Sequence, residues 1–359
     1  MSIAPELTLL PQADPAQALR FRDRQYSAEL IAAVLLHHDF FSWMGEKGAV
    51  SAAQICAQFG WQERPVDVLL TLCRASGFVR RAENGADELA PAGREFLCRG
   101  SPWFLGPYYE PLRGSALVTN HLAVLQSGKP AGWQAKANAK DWHESMLDPE
   151  FARSFTDLMH CRGLAFGQYL ARAMGPLLGG RRHWLDVAGG SGVYTATMLA
   201  AHESLRGTVL EQAPVAALVA GQMQRFGLDG RASVLEGDMF AMPWPDCDLL
   251  LFSNVLHDWD WPQMRQLLKL ATQALCPKTG LMIIHDAFVN DAKDGPLPVA
   301  EYSSLLMNIT QGKCYSAAEY ASCLADLGWE SGPWQGTVAD RGFMLAWPKG
   351  SQGPGPALG

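Results

Sequence analysis

The side chains able to do chemistry fall at five places, each closing a short apolar run. The first is Asp186, followed by the small-residue turn Ala188-Gly189-Gly190-Ser191-Gly192. Glu211 closes the second, about 25 residues further on. Glu236-Gly237-Asp238-Met239 closes the third, Ser253-Asn254-Val255-Leu256-His257-Asp258-Trp259 the fourth, and His285-Asp286 the fifth. A glycine turn that opens a helix offers free backbone N–H groups and lets a ligand approach the main chain. Phosphate is the commonest guest of such a turn, and a carboxylate suits the same dipole. An acid in the position of Glu211 accepts both hydroxyls of a ribose. Asp238 beside Met239 offers an acceptor for a purine amino group next to an apolar side chain.

Strands and helices must alternate to bring these groups together. Strands are expected at His183–Val187, Gly207–Glu211, Ala232–Glu236, Leu249–Ser253, Leu281–His285 and Gly342–Trp347. Helices are expected between them at Val193–Ala201, Ala213–Phe226, Pro262–Ala274 and Ala317–Leu327. That alternation is the signature of an α/β, doubly wound parallel sheet, which binds ligands beyond the carboxyl ends of its strands. Asp258 reads as the N-cap of the helix that follows it.

The first half of the chain is different. Residues 1–13 read as a mobile lead-in. Asp14-Pro15 then starts a helix expected to run to about Met44, with Leu19, Tyr26, Leu30, Ala33 and Leu36 on one stripe. Helices at Ser51–Phe59 and Arg64–Ala75 precede two short strands, Phe78–Arg81 and Glu88–Ala90, around the hairpin signal Asn84-Gly85. Helix, helix, hairpin is the outline of a winged helix. Trp103–Gln126 reads as helical, Gly128–Lys140 as a polar connection, and Asp148-Pro149 caps a helix over Glu150–Met174. The expected division is a winged-helix-like domain over 1–105, a helical connector over 106–180, a Rossmann-like domain over 181–348 and a disordered tail over 349–359.

Composition narrows the partners. The chain has 359 residues, 48% hydrophobic and 18% charged, with a net charge of −7, which argues against a general nucleic-acid or anionic-membrane binder. The second helix of the winged-helix outline offers only Arg64 and Arg74 as cations. Eight cysteines include no CxxC pair, so they read as reduced thiols of a cytoplasmic protein, and no metal site is expected. Neither a signal peptide nor a membrane span is expected.

A nicotinamide dinucleotide and S-adenosylmethionine both suit an acid after the second strand. The dinucleotide fingerprint needs a third glycine for close helix–strand packing, and Val193, Tyr194 and Thr195 stand there instead. The turn suits one carboxylate and one ammonium, with Asp186 as a nearby counter-charge. The motifs LDVAGGSG, VLEQAP, EGDMF and SNVLHDW resemble those of class I S-adenosylmethionine-dependent O-methyltransferases. The branch includes plant caffeate and flavonoid enzymes and bacterial enzymes of antibiotic and phenazine metabolism. That resemblance covers nearly the whole chain and implies an N-terminal winged-helix-like dimerisation domain, a homodimer and a small-molecule acceptor.

Position by position, the resemblance puts Gly190 and Gly192 at the methionine moiety, Glu211 on the ribose, and Asp238 and Met239 at the adenine. It places Ser253 near the methionine carboxylate and Trp259 near the cofactor. His257 would be the general base, with Asp286 where the family has an orienting glutamate one methylene longer. Met159 matches a methionine flanking the acceptor, and Cys314 falls where a second catalytic glutamate belongs. Phe155, Met307 and Asn308 are further candidate acceptor contacts, with Trp103, Phe104 and Tyr108. The expected reaction is methylation of a hydroxyl on an aromatic metabolite. Family members with other chemistry (N- or C-methylation, decarboxylation, hydroxylation or a pericyclic step) and a cofactor-sensing winged-helix regulator are the alternatives.

Overall fold

The computed structural model describes residues 3–131, 145–351 and 353–354. The connection expected over 128–140 and the tail expected over 349–359 lie largely outside them. The described residues form two compact units. A helical unit takes Gln17–Asp141 and Val289–Ser316, and a sheet unit takes Met1–Ala16, Trp142–Phe288 and Ala317–Gly359. The divisions therefore fall elsewhere than at the expected 105 and 180: the helix after Asp148 groups with the sheet, and 289–316 with the helices.

In the helical unit, the long first helix is two, α1 (Ala16–His38) and α2 (Phe40–Lys47). Asp39 between them sits at φ 49, which ends the ladder of backbone bonds, and its carboxyl accepts from Ser42 Oγ. The expected stripe is also too narrow, because Leu30–Leu36 is buried on every side of α1. A capping box of Ser51 and Gln54 starts α3 (Ala52–Phe59), and α4 (Glu63–Ala75) follows. The strands β1 (Val79–Arg81) and β2 (Asp87–Leu89) pair antiparallel, completing the helix–helix–hairpin outline. A short helix that the sequence reading did not anticipate, α5 (Pro91–Phe96), comes next. Over 103–126 there is no single helix. Gly106, Pro107, Pro111 and Gly114 divide it into α6 (Gly106–Tyr109), a 3-10 turn at Glu110–Leu112 and α7 (Ala116–Ser127), capped by Ser115.

The sheet unit begins with a correction. Pro5–Leu7 is a packed 3-10 turn, with Leu7 buried and the Glu6 carbonyl accepting from Gln168 Nε2 at 2.5 Å. Gln168 lies on α8 (Pro149–Met174), capped by Asp148. The strand β3 (His183–Val187) and the helix α9 (Val193–Ala201) follow. Small residues let α8 approach α9: a Cβ on Gly163 would lie 2.5 Å from Val193 Cγ1, and one on Gly167 2.5 Å from Thr197 Oγ1. The buried face of α8 is thus this small-residue stripe with Phe166 and Leu170, while Phe151, Phe155 and Met159 are only half-buried.

The remaining order is β4 (Arg206–Glu211), α10 (Ala213–Arg225), β5 (Ala232–Glu236), β6 (Leu249–Ser253), α11 (Trp261–Ala274) and β7 (Leu281–Asp286). Then α12 (Leu297–Ile309), in the helical unit, precedes α13 (Ala317–Asp326), β8 (Trp329–Ser331), β9 (Gln335–Gly336) and β10 (Gly342–Pro348). The sheet order is β5-β4-β3-β6-β7-β10-β8, with β9 on β10. The strands β3 to β7 run parallel as expected, whereas β10 is antiparallel to β7 and sets Phe343 opposite His285. Strand order reverses between β3 and β6, which opens a crevice at their carboxyl ends. No described helix is long and apolar enough to cross a membrane.

Candidate active site

At the end of β3 the backbone winds up tightly, with φ 52 at Ala188, 58 at Gly190 and 71 at Gly192, the N-cap of α9. A Cβ on Gly189 would lie 2.7 Å from Asp186 Cγ and 2.8 Å from Val209 Cγ1, yet nothing lies within 4 Å of one on Gly190. The turn is packed underneath and open at Gly190. Ala188, in the place of a family glycine, tolerates its left-handed conformation at about 1 kcal/mol. Asp186 is fully buried beneath this turn rather than at its mouth. Thr195 Oγ1 donates to its Oδ2 at 2.8 Å, and its Oδ1 has no hydrogen-bond partner among the described residues. Burial raises its carboxyl to about 7.

Glu211 ties the turn to the next strand. Its Oε1 accepts from Gly190 N at 2.8 Å and its Oε2 from Gln212 N at 2.9 Å. Burial raises this carboxyl to about 7 against those two bonds, and the Asp186 charge adds to the rise. Beyond β5, Gly237 N donates to the Glu211 carbonyl, Asp238 Oδ1 accepts from Phe240 N at 2.8 Å, and Met239 is buried. Phe240 meets Trp259 edge-on, ring centres 4.7 Å apart. Gly190, Glu211, Asp238 and Trp259 are therefore linked through one chain of neighbours.

The end of β6 carries a polar network with members that had no role in the sequence reading. Ser253 Oγ is 2.8 Å from Nδ1 of His285, whose imidazole burial drives down to about 3, so it is neutral. Asn254 Nδ2 donates to Tyr194 Oη at 3.1 Å, and Asn254 Oδ1 accepts from Arg341 Nε at 3.2 Å. The Arg341 guanidinium lies over the Phe166 ring. Asn254 stood inside a motif already singled out, whereas Tyr194 and Arg341 reach it only because α9 and the start of β10 fold beside β6.

His257 is buried in a 3-10 turn, Leu256–Asp258. Its Nδ1 is 2.5 Å from Asp286 Oδ1, which also accepts from Ala287 N. The aspartate reaches despite its shorter side chain. An anionic acceptor on Nδ1 fixes the proton there and leaves Nε2 as the basic nitrogen. Asp258 does not cap α11; Asp260 does, accepting from Trp261 N at 2.8 Å. On α8, Phe155 stacks on Phe151, Met159 Sδ accepts from Arg162 Nη2, and His160 Nδ1 is 3.1 Å from Ser191 Oγ of the glycine turn.

The helical unit holds the other expected residues. Met307 and Asn308 are buried on α12, with Asn308 Nδ2 3.3 Å from His121 Nδ1. Cys314 is buried, and its N–H donates to Ser303 Oγ at 3.1 Å. The two cations of α4 face inward: Arg64 donates to the carbonyls of Gly128, Met307 and Gly312, and Arg74 pairs with Asp87 at 2.7 Å.

Residues 121–330 match an O-methyltransferase domain family. The chain is 30% identical over 287 residues to a 3-hydroxy-5-methyl-1-naphthoate 3-O-methyltransferase of Streptomyces sahachiroi, covering 78% of this chain and 80% of that one. The structure is similar to that of an O-methyltransferase family 2 protein from Planctomyces limnophilus in complex with apigenin. That likeness has a TM-score of 0.87 and 29% identity, over 97% of this chain and 99% of the other. The fold also matches human N-acetylserotonin methyltransferase in complex with S-adenosylmethionine, with a TM-score of 0.58 and 18% identity over 95% and 100% of the two chains.

Proposed function

The chain belongs to the S-adenosylmethionine-dependent O-methyltransferase family, and from that premise we propose that His257 is its general base, held by Asp286. The 2.5 Å contact between Nδ1 and Asp286 Oδ1 carries this reading. S-adenosylmethionine, when bound, supplies an electrophilic methyl group on a sulfonium. The residues present fit it. Each Glu211 oxygen keeps a lone pair for a ribose hydroxyl after accepting its backbone N–H. The space open at Gly190 admits a ligand against the main chain. In this reading Gly190, Gly192, Glu211, Asp238, Met239, Ser253 and Trp259 hold the cofactor, while Phe155 and Met159 meet the acceptor.

Methyl transfer from a sulfonium needs little activation of the donor, so the protein's work is to align the acceptor and take its proton. A phenol near pKa 10 facing a histidine near 6.5 is uphill by about 5 kcal/mol if ionised first. Proton loss is therefore coupled to transfer, and Asp286 favours it by stabilising the imidazolium. The acceptor is an aromatic hydroxyl compound, in keeping with the naphthoate named for the Streptomyces relative. Methyl-labelled S-adenosylmethionine offered with a panel of phenols and hydroxynaphthoates tests this. His257→Ala should lower kcat/KM by about 10²- to 10⁴-fold with cofactor affinity unchanged. A fully active variant would sink the base assignment.

A homodimer and a cytoplasmic location belong to the same reading. The helical unit exposes the large apolar side chains of Phe96, Trp103, Leu105 and Tyr108, close in sequence, which a second copy would cover. Sedimentation equilibrium should give twice the chain mass, and a monomer at micromolar concentration would refute the dimer. The eight cysteines form no disulfide among the described residues, which suits a reducing compartment.

A further inference from the structure

Two carboxylates, not one, flank the His257 imidazole. Asp286 is on Nδ1, and Asp258 Oδ1 lies 3.5 Å from Nε2. Helix capping does not explain Asp258, since Asp260 performs it. The 3-10 turn fixes its backbone, Asp258 N donating to the Val255 carbonyl at 3.1 Å. The charged groups that act on it are His257, Asp286 and, from α8, Arg162, and burial raises its carboxyl to about 6.

The chemistry of that contact changes during the reaction. Toward a neutral Nε2, which offers only a lone pair, an ionised carboxylate gains no hydrogen bond. Toward an imidazolium it adds a charge attraction across that 3.5 Å contact. An attraction present only after the proton has moved accelerates the step rather than tightening the resting complex.

We propose that Asp258 is a positioning residue that stabilises the imidazolium form of His257 as it takes the acceptor's proton. This rests on the base assignment above. In the step, the acceptor O–H bond breaks and Nε2–H forms, while the new O–CH3 bond forms. The S–CH3 bond breaks with its electron pair remaining on sulfur. The positive charge that began on the sulfonium ends on an imidazole between two carboxylates.

Asp258→Asn and Asp258→Ala in the full chain test the proposal, with a phenol that the unaltered protein methylates. Expected is a fall in kcat of about 10- to 100-fold, the loss of one partly buried charge attraction, with acceptor KM within about twofold. The acid limb of the kcat–pH profile should move to lower pH, because removing an anion lowers the affinity of His257 for its proton. Asp258→Glu should restore part of the rate. The melting temperature should hold, since Asp260 still caps α11. An unchanged kcat overturns the proposal, as does a raised KM with kcat intact, which would put Asp258 on the acceptor. If the unaltered protein methylates no hydroxyl, or His257→Ala stays active, the base assignment fails first. An active protein, an inactive His257→Ala and a normal Asp258→Asn remove this inference alone.

Discussion

The two units treat buried charge in opposite ways. In the helical unit, Arg74 and Asp87, each with 2% of its side chain exposed, pair at 2.7 Å, and Arg74 Nε also donates to the Lys293 carbonyl. Asp67 sits between Lys313 Nζ at 2.6 Å and Lys293 Nζ at 2.9 Å. Burial pulls the Asp67 carboxyl up, yet the two ammonium groups together hold it below the usual range. In the sheet unit the acids at the ends of β3 and β4 are left incomplete. Asp186 and Glu211 are both raised to about 7, and one Asp186 oxygen has no hydrogen-bond partner among the described residues. Completed ions brace a scaffold, whereas in the proposed function Glu211, short of compensation at its strand end, takes the rest from a ligand.

Removing one partner from each kind of site separates them. Asp87→Asn strands the buried Arg74 guanidinium and should destabilise the protein by about 3–5 kcal/mol in urea unfolding. Asp186→Asn removes a carboxylate that burial already disfavours, and its stability should stay within about 1 kcal/mol of the parent. Equal losses in the two variants would break the contrast.

The same contrast explains what was legible. Strand ends stood out because apolar runs closed by single acids recur along the sequence, so Glu211, Asp238, His257 and Asp286 were singled out from pattern and resemblance. Partners drawn from elsewhere in the fold left no such trace. Arg341 and Tyr194 meet Asn254 only after β10 and α9 settle beside β6. The choice between Asp258 and Asp260 as cap was decided by Pro262, which fits the first turn of a helix and so fixes where α11 starts. The break at Asp39 has no apolar signature, since a left-handed residue leaves the hydrophobic period on both sides intact. The antiparallel β10 reads as a strand in sequence, but its direction depends on which edge of the sheet remains open.

The smaller test concerns the proton that an incomplete site must release. Before ligand binds, burial keeps Glu211 near 7, so at neutral pH a large fraction is protonated. Hydroxyl donors on a bound nucleoside favour the carboxylate form, so binding expels a proton below that pH. The unfolded carboxyl titrates lower, so the relative stability that Glu211 contributes to the ligand-free protein is full below about 4.5 and is lost as pH rises through about 7. Affinity for S-adenosylhomocysteine should therefore increase from pH 6 to 8, by at most about tenfold per pH unit for one proton, and then level off. Calorimetry at pH 6.5 in two buffers of different ionisation enthalpy should show proton release. Asp186, near 7 as well, and Asp258, near 6, titrate in the same window, so Glu211→Gln should reduce the release without abolishing it. Release undiminished in that variant would move the linkage from Glu211 to its neighbours, and a pH-independent affinity would mean that the ligand does not complete these acids at all.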